Sequence, residues 1–311
     1  DKHNVLADQK TEHRHLLSKG IHLIVDRITE KNRILAFFAS DGRLFFVIPM
    51  GNKTSIGTTD TQVDSPNVEV TAEDRTFVLE NINVLLKLKK PITEDDIIAE
   101  RCGVRPLAQK GGDGVADWVK LSRKHAIDVS HEDQHLSIFG GKTTDCINVG
   151  NEVAEIIKGM GIELPYEDFK WYGEEDDTVR DEFYHQAKLM ELDAYTVEGS
   201  SEPLTQRLWR RYGSRALELL EDIRRDPREA QRLMKDAEYL RCEVEHTARH
   251  EMVTKLEDFL RRRSKITQVV RDEDIVDAPG LKEACRIFFG DQAEAKRQEW
   301  IDSIKKNPPK D

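Results

Sequence analysis

Apolar positions alternate with polar ones near residue 20 and again between 33 and 59. From residue 204 onward they recur every three or four residues. The first pattern predicts strands and the second helices. Over 20–25, Ile21, Leu23 and Val25 share one face, and His22 and Ile24 take the other. Two aromatic-rich runs, 33–39 and 43–49, flank Asp41-Gly42, a favoured hairpin turn. Gly51-Asn52 then turns the chain into 53–59, which makes an antiparallel meander. Thr71-Ala72-Glu73-Asp74 has the form of a capping box, and Phe77, Val78, Ile82, Leu85 and Leu86 follow at helical spacing. A shorter capped helix is expected at 93–96, and further strands at 102–107 and 118–129.

The segment His135 to Phe139 reads as a strand. It runs through Gly140-Gly141-Lys142-Thr143-Thr144 into a helix marked by Val149, Val153, Ile156 and Ile157, which Gly159 and Gly161 end. Glycines at such a corner let a ligand approach the backbone. The helix start offers unpaired N–H groups, and Lys142 adds a full charge. An anionic or carbonyl-bearing ligand suits that corner. On local pattern alone, an ordinary strand–turn–helix with an exposed lysine is the simpler reading.

Residues 164–203 are rich in Glu, Asp and Tyr with weak periodicity, which reads as a connecting region. Beyond it Asp226-Pro227 starts one helix. Leu240, Val244, Ala248, Met252, Leu256 and Phe259 predict one long amphipathic helix, and 281–289 another. The expected architecture is α+β: an antiparallel-sheet substrate domain over 1–165, a linker over 166–200, and an all-α C-terminal domain over 201–311.

Composition narrows the function classes. The 311 residues carry a net charge of −11, which argues against nucleic acid as a general partner. The four cysteines are scattered with no CxxC pair, so no disulfide framework is expected and a reducing compartment fits. No apolar run approaches the ~20 residues of a membrane span, so any membrane contact is expected to be peripheral. The sequence begins at Asp1 with a polar stretch to Ser18, which reads as the continuation of a longer protein.

Several motifs together resemble a known family. They are Ser18-Lys19-Gly20-Ile21-His22-Leu23-Ile24-Val25, Phe46-Val47-Ile48-Pro49, Ile56-Gly57-Thr58-Thr59-Asp60, Gly103-Val104-Arg105-Pro106-Leu107, Ser122-Arg123 and Phe139-Gly140-Gly141-Lys142. Past the linker, Arg211-Tyr212-Gly213-Ser214 and the segment from His250-Glu251 to Arg261-Arg262-Arg263 continue the match. In order and spacing these resemble the C-terminal part of the FAD-dependent glycerol-3-phosphate dehydrogenases, over nearly the whole chain. The family usually follows Gly-Gly-Lys with Leu-Thr-Thr-Tyr, whereas here Thr143-Thr144-Asp145-Cys146 follows. No strand–GxGxxG–helix unit with an acidic residue ~20 positions on is present. The 311 residues alone are therefore expected not to hold FAD in the family's manner.

The resemblance implies oxidation of sn-glycerol 3-phosphate to dihydroxyacetone phosphate, with the C2 hydride passing to FAD and the electrons on to quinone. It places His22 in the active site, where a near-neutral pKa suits proton transfer. It makes Arg105 a catalytic and substrate-binding residue, with Arg123 a second substrate arginine, since guanidinium forks match phosphate. Thr59 becomes part of the pocket wall. Gly140, Gly141, Lys142, Thr143 and Thr144 become the flavin-facing set, with Lys142 at the flavin O2 edge. Without the family, a salt bridge for Arg105 and a structural role for His22 are the simpler readings. Two alternatives accompany this function: a glycerophosphate oxidase that uses oxygen, and a non-catalytic binding module without its cofactor domain. The cytoplasm, or the inner face of the cytoplasmic membrane as a peripheral protein, is the implied location. A homodimer is compatible with the sequence and not specified by it.

Cys242, His246 and His250 fall at i, i+4 and i+8, a spacing able to ligate zinc. No fourth ligand is evident, and no metal is assigned.

Overall fold

The computed structural model describes residues 2–6, 8–111, 124–166, 175–234 and 237–306. Its strands are β1 (His13–Asp26), β2 (Leu35–Phe38), β3 (Leu44–Met50), β4 (Lys53–Gly57), β5 (Thr61–Val63), β6 (Ala99–Lys110), β7 (His125–Ser130) and β8 (His135–Gly140). The helices are α1 (Lys2–Leu6), α2 (Ala72–Leu85), α3 (Cys146–Gly159), α4 (Asp177–Leu189), α5 (Leu204–Tyr212), α6 (Ala216–Arg225), α7 (Arg241–His250), α8 (Ile266–Val269), α9 (Asp272–Asp277), α10 (Pro279–Phe289) and α11 (Ala293–Lys306). The order is that of an α+β protein, with an antiparallel sheet first and helices after it.

β1 is the central strand of the sheet. β4 pairs with its residues 22–26 and β5 with 17–19, while β6 pairs with it from His13 to Ile24. β3 and β2 extend the sheet beyond β4. The predicted hairpin is present, with Gly42 at φ +81° and its N–H donating to Ala39 O at 2.9 Å. β1 starts earlier than predicted, inside the polar stretch before Ser18. The cause is pairing rather than hydrophobicity: His13 lies opposite Lys110, and Asp128 accepts from the His13 backbone N–H at 2.9 Å.

One face of the sheet is the core. Ile21, Leu23, Val25, Phe45, Val47 and Ile56 pack on Val78, Leu79 and Ile82 of α2. Full burial of each such aliphatic side chain contributes about 1.5–3 kcal/mol. The predicted capping box starts α2: Thr71 Oγ1 accepts from Asp74 N–H at 3.3 Å, and Asp74 Oδ2 accepts from Thr71 N–H at 3.0 Å. The same carboxylate pairs with the buried Lys19 ammonium at 2.5 Å. This ties the start of α2 to β1.

β7 and β8 form a separate two-stranded ribbon that packs on β6. Of the strand expected at 118–129, the part before Lys124 lies outside the described residues, and Arg123 with it. After β8 the chain makes a 3-10 turn over Thr143–Asp145 and enters α3, which ends at Gly159 as the pattern predicts.

α4 lies within the 166–200 stretch expected as a linker. Its Phe183 and Ala187 are buried with Leu192, Leu204 and Leu208 in the first helical core. The long helix expected from 240 to 259 is two segments. α7 ends at His250, and Met252 is exposed with φ +50°. Asp258 restarts the helix by accepting from the N–H groups of Thr254 at 3.1 Å and Lys255 at 2.9 Å. A second helical core gathers Phe259, Leu260, Ile275, Leu281 and Trp300.

The helical region is joined around one carboxylate. Glu243 is fully buried and takes both arms of the Arg207 guanidinium, at 2.8 and 3.1 Å. It also accepts from Arg211 at 3.2 Å, Tyr212 Oη at 3.0 Å and Leu240 N–H at 2.9 Å. Arg211 and Tyr212, adjacent on α5, both reach it.

Candidate active site

The second face of β1 carries Ser18, Gly20, His22 and Ile24. Opposite them on β6 stand Arg105, Gly103, Arg101 and Ala99. Antiparallel partners point to the same side. The period-two pattern of two short segments therefore assembles one histidine, two arginines and several glycines on one surface.

Gly20 leaves room there for an arginine side chain. A Cβ at that position would collide with the Arg105 guanidinium, which lies across β1. Arg105 donates to Thr58 Oγ1 at 2.9 Å and to Thr59 O at 3.4 Å, and sits 3.6 Å from the Asp60 carboxylate. Asp60 is itself buried and accepts from the Ser18 hydroxyl. The arginine is thus oriented by the connection between β4 and β5. Gly57 has φ +146°, and a Cβ there would meet Ile21 O at 2.7 Å and the His22 ring at 3.1 Å. Over Gly103 the space is open.

Thr59 is buried, and its hydroxyl accepts from Ile21 N–H at 3.1 Å. That bond satisfies β1 in the gap between β4 and β5, so the side chain fixes the strand that carries His22. Gly140 and Gly141 have φ +69° and +85°, the left-handed region that favours glycine. A Cβ on Gly140 would press on Ala108 N at 3.0 Å, and one on Gly141 on His125 Cβ at 3.2 Å. Ala108 is three residues from Arg105 on β6, so one strand links the corner to the arginine. Lys142, Thr143 and Thr144 are exposed just beyond it. His125 donates or accepts through both ring nitrogens, to Asp145 at 2.8 Å and Glu152 at 2.7 Å. Those hydrogen bonds raise its pKa and pin α3 to β7.

Residues near His22 add to the site. Arg101 is exposed, lies opposite His22, and makes no ion pair among the described residues. α8 packs on β6, and burial together with Arg101, Arg210 and Arg211 pushes the Lys265 pKa down. The helical region thereby brings further positive charge to this end of the sheet. The sequence carried one legible sign of this, the Arg-x-Gly-x-Arg alternation of 101–105. Nothing in it placed Lys265 near β6.

His22 responds to these neighbours. Burial, then Arg101 and Arg105, lower its pKa from 6.5 to about 4. The ring is neutral at pH 7 and offers a lone pair rather than a charge. The folded protein holds this proton less tightly than the unfolded chain. The stability it contributes is full above about pH 6.5 and is lost as pH falls toward about 4. An NMR titration should find the His22 midpoint well below 6, and Arg101→Leu should move it upward. A normal midpoint that ignores Arg101→Leu contradicts this electrostatic picture.

The chain is similar to several known proteins. The sequence profile described as the C-terminal domain of alpha-glycerophosphate oxidase matches residues 111–279. Glycerol-3-phosphate dehydrogenase 2 of Mycobacterium tuberculosis is 28% identical over 285 residues, 86% of this chain and 44% of that protein. An aerobic glycerol-3-phosphate dehydrogenase of Staphylococcus epidermidis is 28% identical over 260 residues, 80% of this chain and 45% of that protein. The chain therefore spans about half the length of the curated relatives it matches. The solved glycerol-3-phosphate dehydrogenase of Bacillus halodurans, in complex with FAD, superposes with a TM-score of 0.65 at 22% identity, over 98% of this chain and 60% of that one. This likeness shows a shared fold. With the profile matching more than half of its residues, the chain belongs to the family of the C-terminal domain of alpha-glycerophosphate oxidase.

Proposed function

We propose that this chain forms the substrate-facing part of an FAD-dependent glycerol-3-phosphate dehydrogenase. The observation that carries the reading is the Arg105 guanidinium held across Gly20, with His22 and Arg101 on the same face. A neutral histidine beside two guanidinium groups suits proton removal from a phosphorylated secondary alcohol.

The phosphate end of glycerol 3-phosphate is assigned to Arg105, with Arg123 as the second arginine. Arg101 adds to the attractive field. His22 accepts the C2 hydroxyl proton as the carbon is oxidised to the ketone. Its low basicity before binding is consistent with this role. A phosphate dianion neutralises Arg101 and Arg105, which removes two of the three causes that depress the ring. Substrate binding thus raises the His22 pKa toward the range useful for a base. Thr59 acts on the pocket by fixing β1.

The residues present suit a flavin. The left-handed Gly140–Gly141 pair brings bare backbone to the corner, Lys142 supplies a cation, and the face over Gly103 is unfilled. FAD, when bound, supplies the two-electron acceptor for the C2 hydride. Gly140, Gly141, Lys142, Thr143 and Thr144 are the residues assigned to hold its edge. Quinone is the proposed electron acceptor, met at a membrane surface by peripheral contact. No helix of the described residues is long and apolar enough to cross a membrane.

Turnover assays on the FAD-loaded enzyme containing this chain test the reading. Glycerol 3-phosphate should yield dihydroxyacetone phosphate with a soluble quinone as acceptor, and little peroxide under air. Stoichiometric peroxide without quinone dependence identifies the oxidase instead. No turnover with either acceptor overturns the assignment.

A further inference from the structure

Away from the sheet, three side chains of the helical region converge. His246 and His250 lie one turn apart on α7, with ring centroids 4.6 Å apart. Glu218 projects from α6, which packs against α7. One donor atom from each of the three lies within 4.8 Å of the others. His246 is only 5% exposed, yet no hydrogen bond to either ring nitrogen is found among the described residues. The aromatic ring of Tyr212 covers it edge-on at 5.2 Å. Glu218 is exposed and has no ion-pair partner among the described residues.

The His246 ring nitrogens keep contact with solvent, so a lone pair stays open to a ligand. We propose that Glu218, His246 and His250 form a binding site for a divalent transition-metal ion such as zinc. The ion would bridge α6 to α7 and leave one coordination position for water. Two histidines spaced i, i+4 on one helix present their nitrogens to a common point. Two imidazoles and one carboxylate favour zinc, cobalt or nickel over calcium or magnesium, which select all-oxygen ligand sets. A zinc ion takes its donors at about 2.0–2.2 Å, so these three donor atoms, which lie within 4.8 Å of one another, draw closer by side-chain rotation when they share one ion. Arg215 and Arg249 oppose a cation here, but Arg249 is drawn toward Glu245 at 3.0 Å and Asp222 at 3.5 Å.

The ligand set differs from the i, i+4, i+8 trio suggested by sequence. Cys242 is fully buried in the first helical core, and burial pushes its thiol pKa far up. Glu218, from a helix 24 residues away in sequence, takes the place expected for it.

The site lies outside the residues assigned to substrate and flavin, so its test is independent of them. Chelator-treated protein is titrated with zinc by calorimetry and with cobalt by visible absorption. One ion per chain is expected, with a rise in thermal midpoint and a cobalt spectrum of nitrogen and oxygen ligands. His250→Ala and Glu218→Gln, both at exposed positions, should each weaken zinc binding at least tenfold while the metal-free fold, read by circular dichroism, is retained. Absence of saturable binding, or affinity unchanged in both variants, overturns the proposal. An intense thiolate-to-cobalt charge-transfer band also overturns it, by placing Cys242 in the ligand set.

Discussion

Replacing Arg105 by lysine is expected to lower kcat/KM for glycerol 3-phosphate at least tenfold in the FAD-loaded enzyme that contains this chain. The guanidinium is oriented before any ligand arrives, by Thr58, Thr59 and Asp60. It presents a planar fork to a phosphate, whereas lysine presents a single point charge. Loss of one charged hydrogen-bond partner in a partly desolvated site costs roughly 2–4 kcal/mol, or about 30- to 1,000-fold in kcat/KM. Arg123→Lys is expected to act in the same direction. Unphosphorylated glycerol, a poor substrate by this account, should be affected much less by either change. The contrast matters because Arg105 also holds its own strand neighbours together. A purely structural arginine depresses both substrates alike, and equal losses or wild-type kinetics would remove it from the phosphate site.

The largest stability effect is expected at Glu243. Its carboxylate is fully buried and bridges Arg207, Arg211, Tyr212 and the Leu240 backbone. Glu243→Ala leaves the buried Arg207 charge with no carboxylate and opens a void beneath Tyr212. Breaking a buried pair in this way costs about 3–5 kcal/mol. Chemical denaturation of the chain should show that loss, with Glu243→Gln intermediate because it keeps part of the hydrogen bonding. A change below about 1 kcal/mol contradicts the view that this carboxylate joins α5 to α7.

Much of the sheet was legible because several of its strands obey a local rule, unlike β5 and the polar start of β1. The Asp41-Gly42 turn, the alternation at 20–25 and the Thr71 capping box each specify structure within a few residues. The face carrying His22 was legible in the same way, from parity along β1. Registry was not. That Arg101 stands opposite His22 and Arg105 opposite Ser18 depends on a pairing between segments about 80 residues apart. α4, which opens the first helical core, was harder still. Val179, Phe183 and Ala187 recur at helical spacing, but a heavily charged surround hid them. The apparent 240–259 helix failed for another reason. Its apolar positions continue through Met252, yet that residue takes a left-handed conformation and points to solvent. Periodicity records which residues could share a face, and the competing cap at Thr254–Asp258 decided where the helix ends.

The central claim is that the face of His22 and Arg105, with the Gly140–Lys142 corner, receives a phosphorylated alcohol next to a flavin. Anaerobic titration of the FAD-loaded enzyme with glycerol 3-phosphate, followed by the visible absorbance of the flavin, tests it most directly. The account predicts bleaching by glycerol 3-phosphate, far weaker bleaching by glycerol at the same concentration, and a marked loss of response to glycerol 3-phosphate in Arg105→Lys. A folded, flavin-loaded enzyme whose absorbance is unchanged by glycerol 3-phosphate would contradict it.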